Sequence, residues 1–123
     1  MQGQLPSVVD ERGMLVVAEH AFGFEVRRVF WIVGRTSEIR GGHRHHLTRQ
    51  ALIAVSGRVE VNVDDGVRSA TVTLASPERF LILEPKDWHT MRFDDGAVLL
   101  VFASHVYDSA DYIHEPYKDR KAQ

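Results

Sequence analysis

Cysteine is absent from this 123-residue chain. That excludes a disulfide framework and thiolate chemistry, and it fits a reducing compartment. Long apolar runs are absent too: none approaches the roughly 20 residues of a membrane span, and the N-terminus carries no apolar leader-like stretch. Neither sign of charge dominates, with 15 Lys and Arg against 17 Asp and Glu. A balance this close argues against a general binder of nucleic acid or of membrane surfaces. No phosphate-cradling or dinucleotide glycine pattern occurs. Ser56 and Ser104 lack the context of a nucleophile elbow. Serine-based hydrolysis and cofactor-dependent redox chemistry are therefore unsupported. The expectation is a soluble, cytoplasmic, single domain spanning 1–123, long enough to bury a core unaided.

What is present is period-2 patterning. Arg58-Val59-Glu60-Val61-Asn62-Val63 alternates polar and apolar, as a strand with one wet face should. Asp64-Asp65-Gly66 then predicts a hairpin turn, and Ser69–Leu74 alternates again. Asp94-Asp95-Gly96 repeats the turn signal between Trp88–Phe93 and Ala97–Ala103. Further strands are predicted at Met14–Ala18, Val26–Val33, Gln50–Ser56 and Phe80–Leu83, with no competing helical period. This spacing predicts an all-β sandwich or barrel. Residues 1–11 read as a loose arm or an added edge strand, Ser109–Ile113 as one helical turn, and 116–123 as a frayed tail.

The chemistry concentrates at His43-Arg44-His45. Residues i and i+2 of a strand share a face, so this strand should present two near-neutral bases together. Such a pair suits proton transfer or metal binding. With His89 it would offer three nitrogens to a divalent transition ion, but Gln50 is a poorer ligand than glutamate. His43, His45, Gln50 and the Gly57 turn resemble the first motif of the cupin family, with Gln50 in the place of the metal-binding glutamate. Proton transfer without metal is the better expectation. His46 has the opposite strand parity to His45 and is expected at the surface. The paired aspartates at the two turns read as turn chemistry, and His20, His105 and His114 have no evident partner.

A longer set of blocks narrows the comparison. Asp10-Glu11-Arg12-Gly13-Met14-Leu15-Val16, Arg27–Ile32, Arg40-Gly41-Gly42-His43-Arg44-His45, Pro85-Lys86-Asp87-Trp88-His89-Thr90-Met91, and Ala103–Asp108 with Asp111-Tyr112-Ile113 occur in order along nearly the whole chain. Together they resemble the nucleotide-sugar 3,4-ketoisomerases that act on dTDP-4-keto-6-deoxyglucose. Phe30 and Trp31 depart from expected tyrosines, and Gly42, Arg44 and His46 from an expected phenylalanine, alanine and lysine. The resemblance implies a small cupin-type β-barrel (jelly roll), a dTDP-sugar substrate, no metal, no cofactor, and a homodimer that exchanges N-terminal strands. It implies His43 and His45 as the catalytic pair. Arg12, Arg28 and Arg40 are placed for a pyrophosphate; Gln50, Trp88 and His89 are further substrate contacts. A metal-dependent cupin enzyme and a non-catalytic ligand-binding cupin are the alternatives.

Overall fold

The computed structural model describes residues 1–36 and 38–118. In chain order the strands are β1 (Gln2–Gln4), β2 (Ser7–Asp10), β3 (Gly13–Val16), β4 (Arg28–Val33), β5 (Ile39–His45), β6 (Gln50–Ser56), β7 (Val59–Asp64), β8 (Ser69–Leu74), β9 (Arg79–Leu83), β10 (Trp88–Phe93), β11 (Val98–Ala103) and β12 (Tyr112–Ile113). One antiparallel sheet has the order β1-β9-β6-β11-β4, a second the order β12-β5-β10-β7-β8, and β2 pairs with β3 alone. No strand pairing joins the two large sheets among the described residues, so the expected barrel is realised as two sheets face to face.

Alternation explains the layering. The inward positions of β6, β9 and β11 meet those of β7, β8 and β10 in one core that holds Leu52, Ala54, Leu81, Val61, Leu74, Met91, Phe93 and Leu99. Burying a side chain such as Leu99 is worth roughly 1.5–3 kcal/mol. The central strands β6 and β9 are covered on their outer face as well, where Ala51, Ile53, Phe80 and Ile82 pack under Leu5 and Phe22. That double coverage accounts for the unbroken apolar runs there. The Asp-Asp-Gly turns form as expected: Asp64 and Asp65 accept amide hydrogens inside their own turn, and Gly66 sits at φ +95°, where only glycine is unstrained.

The chain ends refine the expectations. Gln2–Gln4 is an edge strand on β9, while β2 and β3 form a hairpin apart from both sheets. Ser109–Asp111 is a single 3-10 turn, capped by the Asp108 carboxylate. Tyr112 and Ile113 then add to the edge of β5. Of the expected tail, residues 119–123 lie outside the described ones. Tyr117 is not frayed: its hydroxyl donates to the Lys86 carbonyl at 2.7 Å.

Candidate active site

β5 and β10 bring the site together. His43 lies opposite His89 in their ladder, and the His43 ring is 4.8 Å from that of His89 and 5.1 Å from that of His45. Just upstream the register slips: His43 faces His89, yet Gly41 faces Thr90, which leaves Gly42 as the extra residue of a bulge. Gly41 and Gly42 have φ of +87° and +77°, and a side chain at Gly41 would come within 2.8 Å of the His89 carbonyl oxygen. Gly41 is thus required by both backbone and space, and Gly42 by its backbone conformation alone. The bulge also resets the alternation. Arg40 faces Met91 rather than Arg92, which turns it onto the face used by His43.

These residues border a cavity of about 230 Å³. His43, His89, Gln50, Arg28, Arg40 and Tyr112 form its polar wall, and Phe30, Ile32, Leu52, Met91 and Val101 its apolar one. Arg28 enters from edge strand β4, its guanidinium over the rings of Phe30 at 4.5 Å and Tyr107 at 5.4 Å. Cation–π contact of this kind fixes the guanidinium plane. Arg40 also borders an adjoining surface groove with Arg35.

His45 stands behind this wall, only 5% exposed. Its Nδ1–H donates to Asp111 Oδ2 at 3.0 Å. The same carboxylate accepts the Thr48 hydroxyl at 2.5 Å and the Leu47 amide at 2.7 Å. Burial alone would raise the Asp111 pKa, but these hydrogen bonds outweigh it and hold the carboxyl below its usual range, ionised at neutral pH. With Nδ1 committed, the His45 Nε2 is left as the lone-pair nitrogen. It is buried and has no hydrogen-bond partner.

Burial pushes the other two imidazoles down harder. His43 falls to about 4, through desolvation first and then the neighbouring His45 and His114. His89 falls to about 3, again mainly by desolvation, with His43 adding to it. Its Nδ1–H donates to the Asp87 carbonyl at 3.2 Å. His45 is lowered by burial as well, but Asp111 opposes that shift by hydrogen bond and by charge. All three rings are neutral at pH 7, and His45 is the one with a carboxylate behind it.

Two expected contacts lie elsewhere. Strand alternation sends His89 and Met91 inward and Trp88 to the opposite face, where it pairs with Asp64, so Trp88 does not line the cavity of its own chain. Arg12 sits at the β2–β3 turn, its side chain 86% exposed and paired with Asp10 at 2.6 Å; it too is outside the cavity. Of the departures from the expected tyrosines, Phe30 lines the cavity while Trp31 faces outward, 65% exposed. Tyr112 supplies the phenol on the cavity wall. Asp111, Tyr112 and Thr48 had no role assigned from sequence. Asp111 lies 66 residues from His45, and only the C-terminal resemblance block flagged its neighbourhood. His114, without an evident partner in the sequence, stacks on Tyr112 with ring centres 6.0 Å apart.

Comparison with known proteins agrees along the chain. Residues 2–122 match the family described as FdtA: WxcM-like, C-terminal. A curated relative, the TDP-4-oxo-6-deoxy-alpha-D-glucose-3,4-oxoisomerase of Aneurinibacillus thermoaerophilus, is 37% identical over 112 residues, covering 88% of this chain and 81% of the relative. Among solved structures, the TDP-quinovose 3,4-ketoisomerase WlaRB of Campylobacter jejuni superposes with a TM-score of 0.89 at 34% identity, over 94% of this chain and 92% of that one. The sugar 3,4-ketoisomerase QdtA of Thermoanaerobacterium thermosaccharolyticum, solved in complex with TDP, gives 0.89 at 30% identity over 94% and 87%.

Proposed function

We propose a function from this premise: the chain belongs to the FdtA-like, WxcM-like C-terminal family. It is an isomerase of the nucleotide-sugar ketoisomerase kind. Its substrate is dTDP-4-keto-6-deoxyglucose and its product the 3-keto isomer. The observation that carries this reading is the neutral imidazole of His43 on the cavity wall with that of His45 just behind it, backed by Asp111 and with its Nε2 unpartnered.

The C3–H of the substrate is acidified by the C4 carbonyl. His45, the better supported base, takes that proton on Nε2 and forms an enediolate; the sugar displaces the Tyr112 ring, which packs 4.5 Å from His45, to reach it. His45 then returns the proton to C4. The C3 hydroxyl gives its proton up as the C4 oxygen gains one, and His43 on the cavity wall carries that exchange. Ketone and alcohol change places with no net oxidation. A neutral imidazole suits both jobs near pH 7, and hydrogen bonds to the developing oxyanion in a water-poor cavity contribute most. Arg28 and Arg40 hold the pyrophosphate, and binding the nucleotide orients the sugar ring. Gln50 and His89 contact the sugar.

The enzyme is a homodimer through its N-terminal hairpin. Val8, Val9, Met14 and Leu15 of that hairpin are 47–68% exposed, and a lone two-stranded ribbon is marginal in water. Edge strand β4 likewise exposes Val29, Trp31 and Val33. A second copy covers both surfaces, and the exchange brings Arg12 toward the partner's site. No helix is long and apolar enough to cross a membrane among the described residues, and a nucleotide-sugar substrate favours the cytoplasm. The test is direct: purified protein is incubated with dTDP-4-keto-6-deoxyglucose and the product sugar is identified by NMR. Recovery of unchanged substrate would refute the assignment.

A further inference from the structure

The middle residue of His43-Arg44-His45 points away from its neighbours. By alternation Arg44 faces outward, and there it meets the C-terminal segment. Its Nε–H donates to the Glu115 carbonyl at 3.1 Å, and its guanidinium lies 4.0 Å over the Tyr117 ring. The Tyr117 hydroxyl in turn donates to the Lys86 carbonyl at 2.7 Å. Lys86 donates its own amide to the carbonyl of His45 at 2.8 Å. The ring is seated against the β7–β8 turn, where a side chain at Gly66 would come within 3.1 Å of it. Arg44 and Tyr117 thus close a loop of contacts that begins and ends on the backbone of the histidine strand.

We propose that Arg44 and Tyr117 form a clamp that sets the Asp111–Ile113 segment on β5, and through Asp111 fixes the orientation and tautomer of His45. Both are positioning residues. The segment needs such an anchor, because β12 pairs with β5 at only two positions, Tyr112 with His45 and Ile113 with Arg44. Upstream it is tied by the His46 amide to the Asp111 carbonyl at 2.9 Å. Downstream the Arg44–Tyr117 contact supplies the tie. Between the two anchors lie the carboxylate that holds His45 and the Tyr112 ring that packs on both His43 and His45.

The kinetic part of the test rests on the ketoisomerase reading; the spectroscopic part does not. The Nδ1–H of His45, held by Asp111, should give a protected, slowly exchanging imidazole proton in nitrogen-correlated NMR, assigned by its loss in His45→Asn. In Arg44→Ala and Tyr117→Ala that proton should exchange faster and broaden. Loss of a cation–π contact together with a hydrogen bond should lower kcat by about tenfold, while affinity for TDP stays within about twofold. Tyr117→Phe keeps the ring on Arg44 and loses only the hydroxyl bond, so about a threefold fall is expected. This conservative change also keeps the test available if Arg44→Ala fails to fold. The clamp is overturned if the variants keep the protected proton and the wild-type kcat, or if kcat and TDP affinity fall together. Should the wild-type protein not turn over the sugar at all, the ketoisomerase reading fails, while the imaging of the His45 proton still decides the clamp.

Discussion

Acidification should unfold this protein through its buried histidines, and replacing His89 should blunt that response by a calculable amount. His43 titrates at about 4 and His89 at about 3 in the folded chain, against 6.5 when exposed. Between those values the unfolded chain binds more protons than the folded one, so stability rises with pH and falls as pH drops below about 6.5. The loss is complete only below the folded values. At pH 5 an exposed imidazole is almost fully charged and the buried His89 almost fully neutral, so His89 costs about 2 kcal/mol relative to pH 7.5; the half-buried His43 costs less, because solvent screens its charge. Together they remove roughly 2–4 kcal/mol from a total that for a domain of this size is typically about 5–15 kcal/mol. The assay is urea unfolding from pH 7.5 to 5, comparing the wild type with His89→Gln. The variant can be less stable at every pH, since a buried ring is lost; what matters is the slope. Its stability should fall about 2 kcal/mol less than that of the wild type over the interval. Parallel pH dependences would show that His89 is not held neutral by burial, and the electrostatic description of the site would fail with it.

Other expected outcomes follow from single contacts. Asp111→Asn keeps the size of the side chain but loses the charge that holds the His45 Nδ1–H; a hydrogen bond to a charged group is worth about 1.5–3 kcal/mol, so kcat should fall at least tenfold with the fold retained, and an unchanged rate would remove Asp111 from the mechanism. Replacing Arg28 or Arg40 with lysine should weaken dTDP binding about tenfold, because the planar two-pronged contact is lost; calorimetry showing unchanged affinity in both would free these residues of that role. Deleting residues 1–12 should convert a dimer to a monomer by light scattering and lower dTDP affinity through loss of Arg12, whereas a dimer that survives the deletion would place the interface elsewhere.

How much of this was legible in the sequence depends on distance along the chain. Local signals carried the strands: Gln50–Ser56, Ser69–Leu74 and Trp88–Phe93 form where alternation and turn residues place them. The shared face of His43 and His45 follows from parity alone. Parity also settles Trp88, which must point away from its neighbour His89 along a regular strand. Arg40 could not be placed that way, because the Gly41–Gly42 bulge inserts one residue and reverses the count. The Asp111 contact to His45 was invisible to any periodicity, since it closes across 66 residues of chain. It depends on a 3-10 turn and a two-residue edge strand, and neither has a pattern long enough to read. Arg12 shows the remaining limit, for among the described residues its hairpin pairs with no other strand, and no local pattern places the side chain relative to the cavity.

The central claim is that His43 and His45 move the protons, and turnover in deuterium oxide tests it most directly. Wild-type enzyme acting on dTDP-4-keto-6-deoxyglucose should yield the 3-keto product with deuterium at C4, because the proton lifted from C3 exchanges with solvent before it is returned. His45→Asn should stop both deuterium entry and turnover, with rate losses of about 10²–10⁴. His43→Asn should slow turnover while leaving a measurable washout of the C3 proton from the substrate. If both variants fold and turn the substrate over at near wild-type rates, the two histidines are structural and the proposed mechanism is wrong.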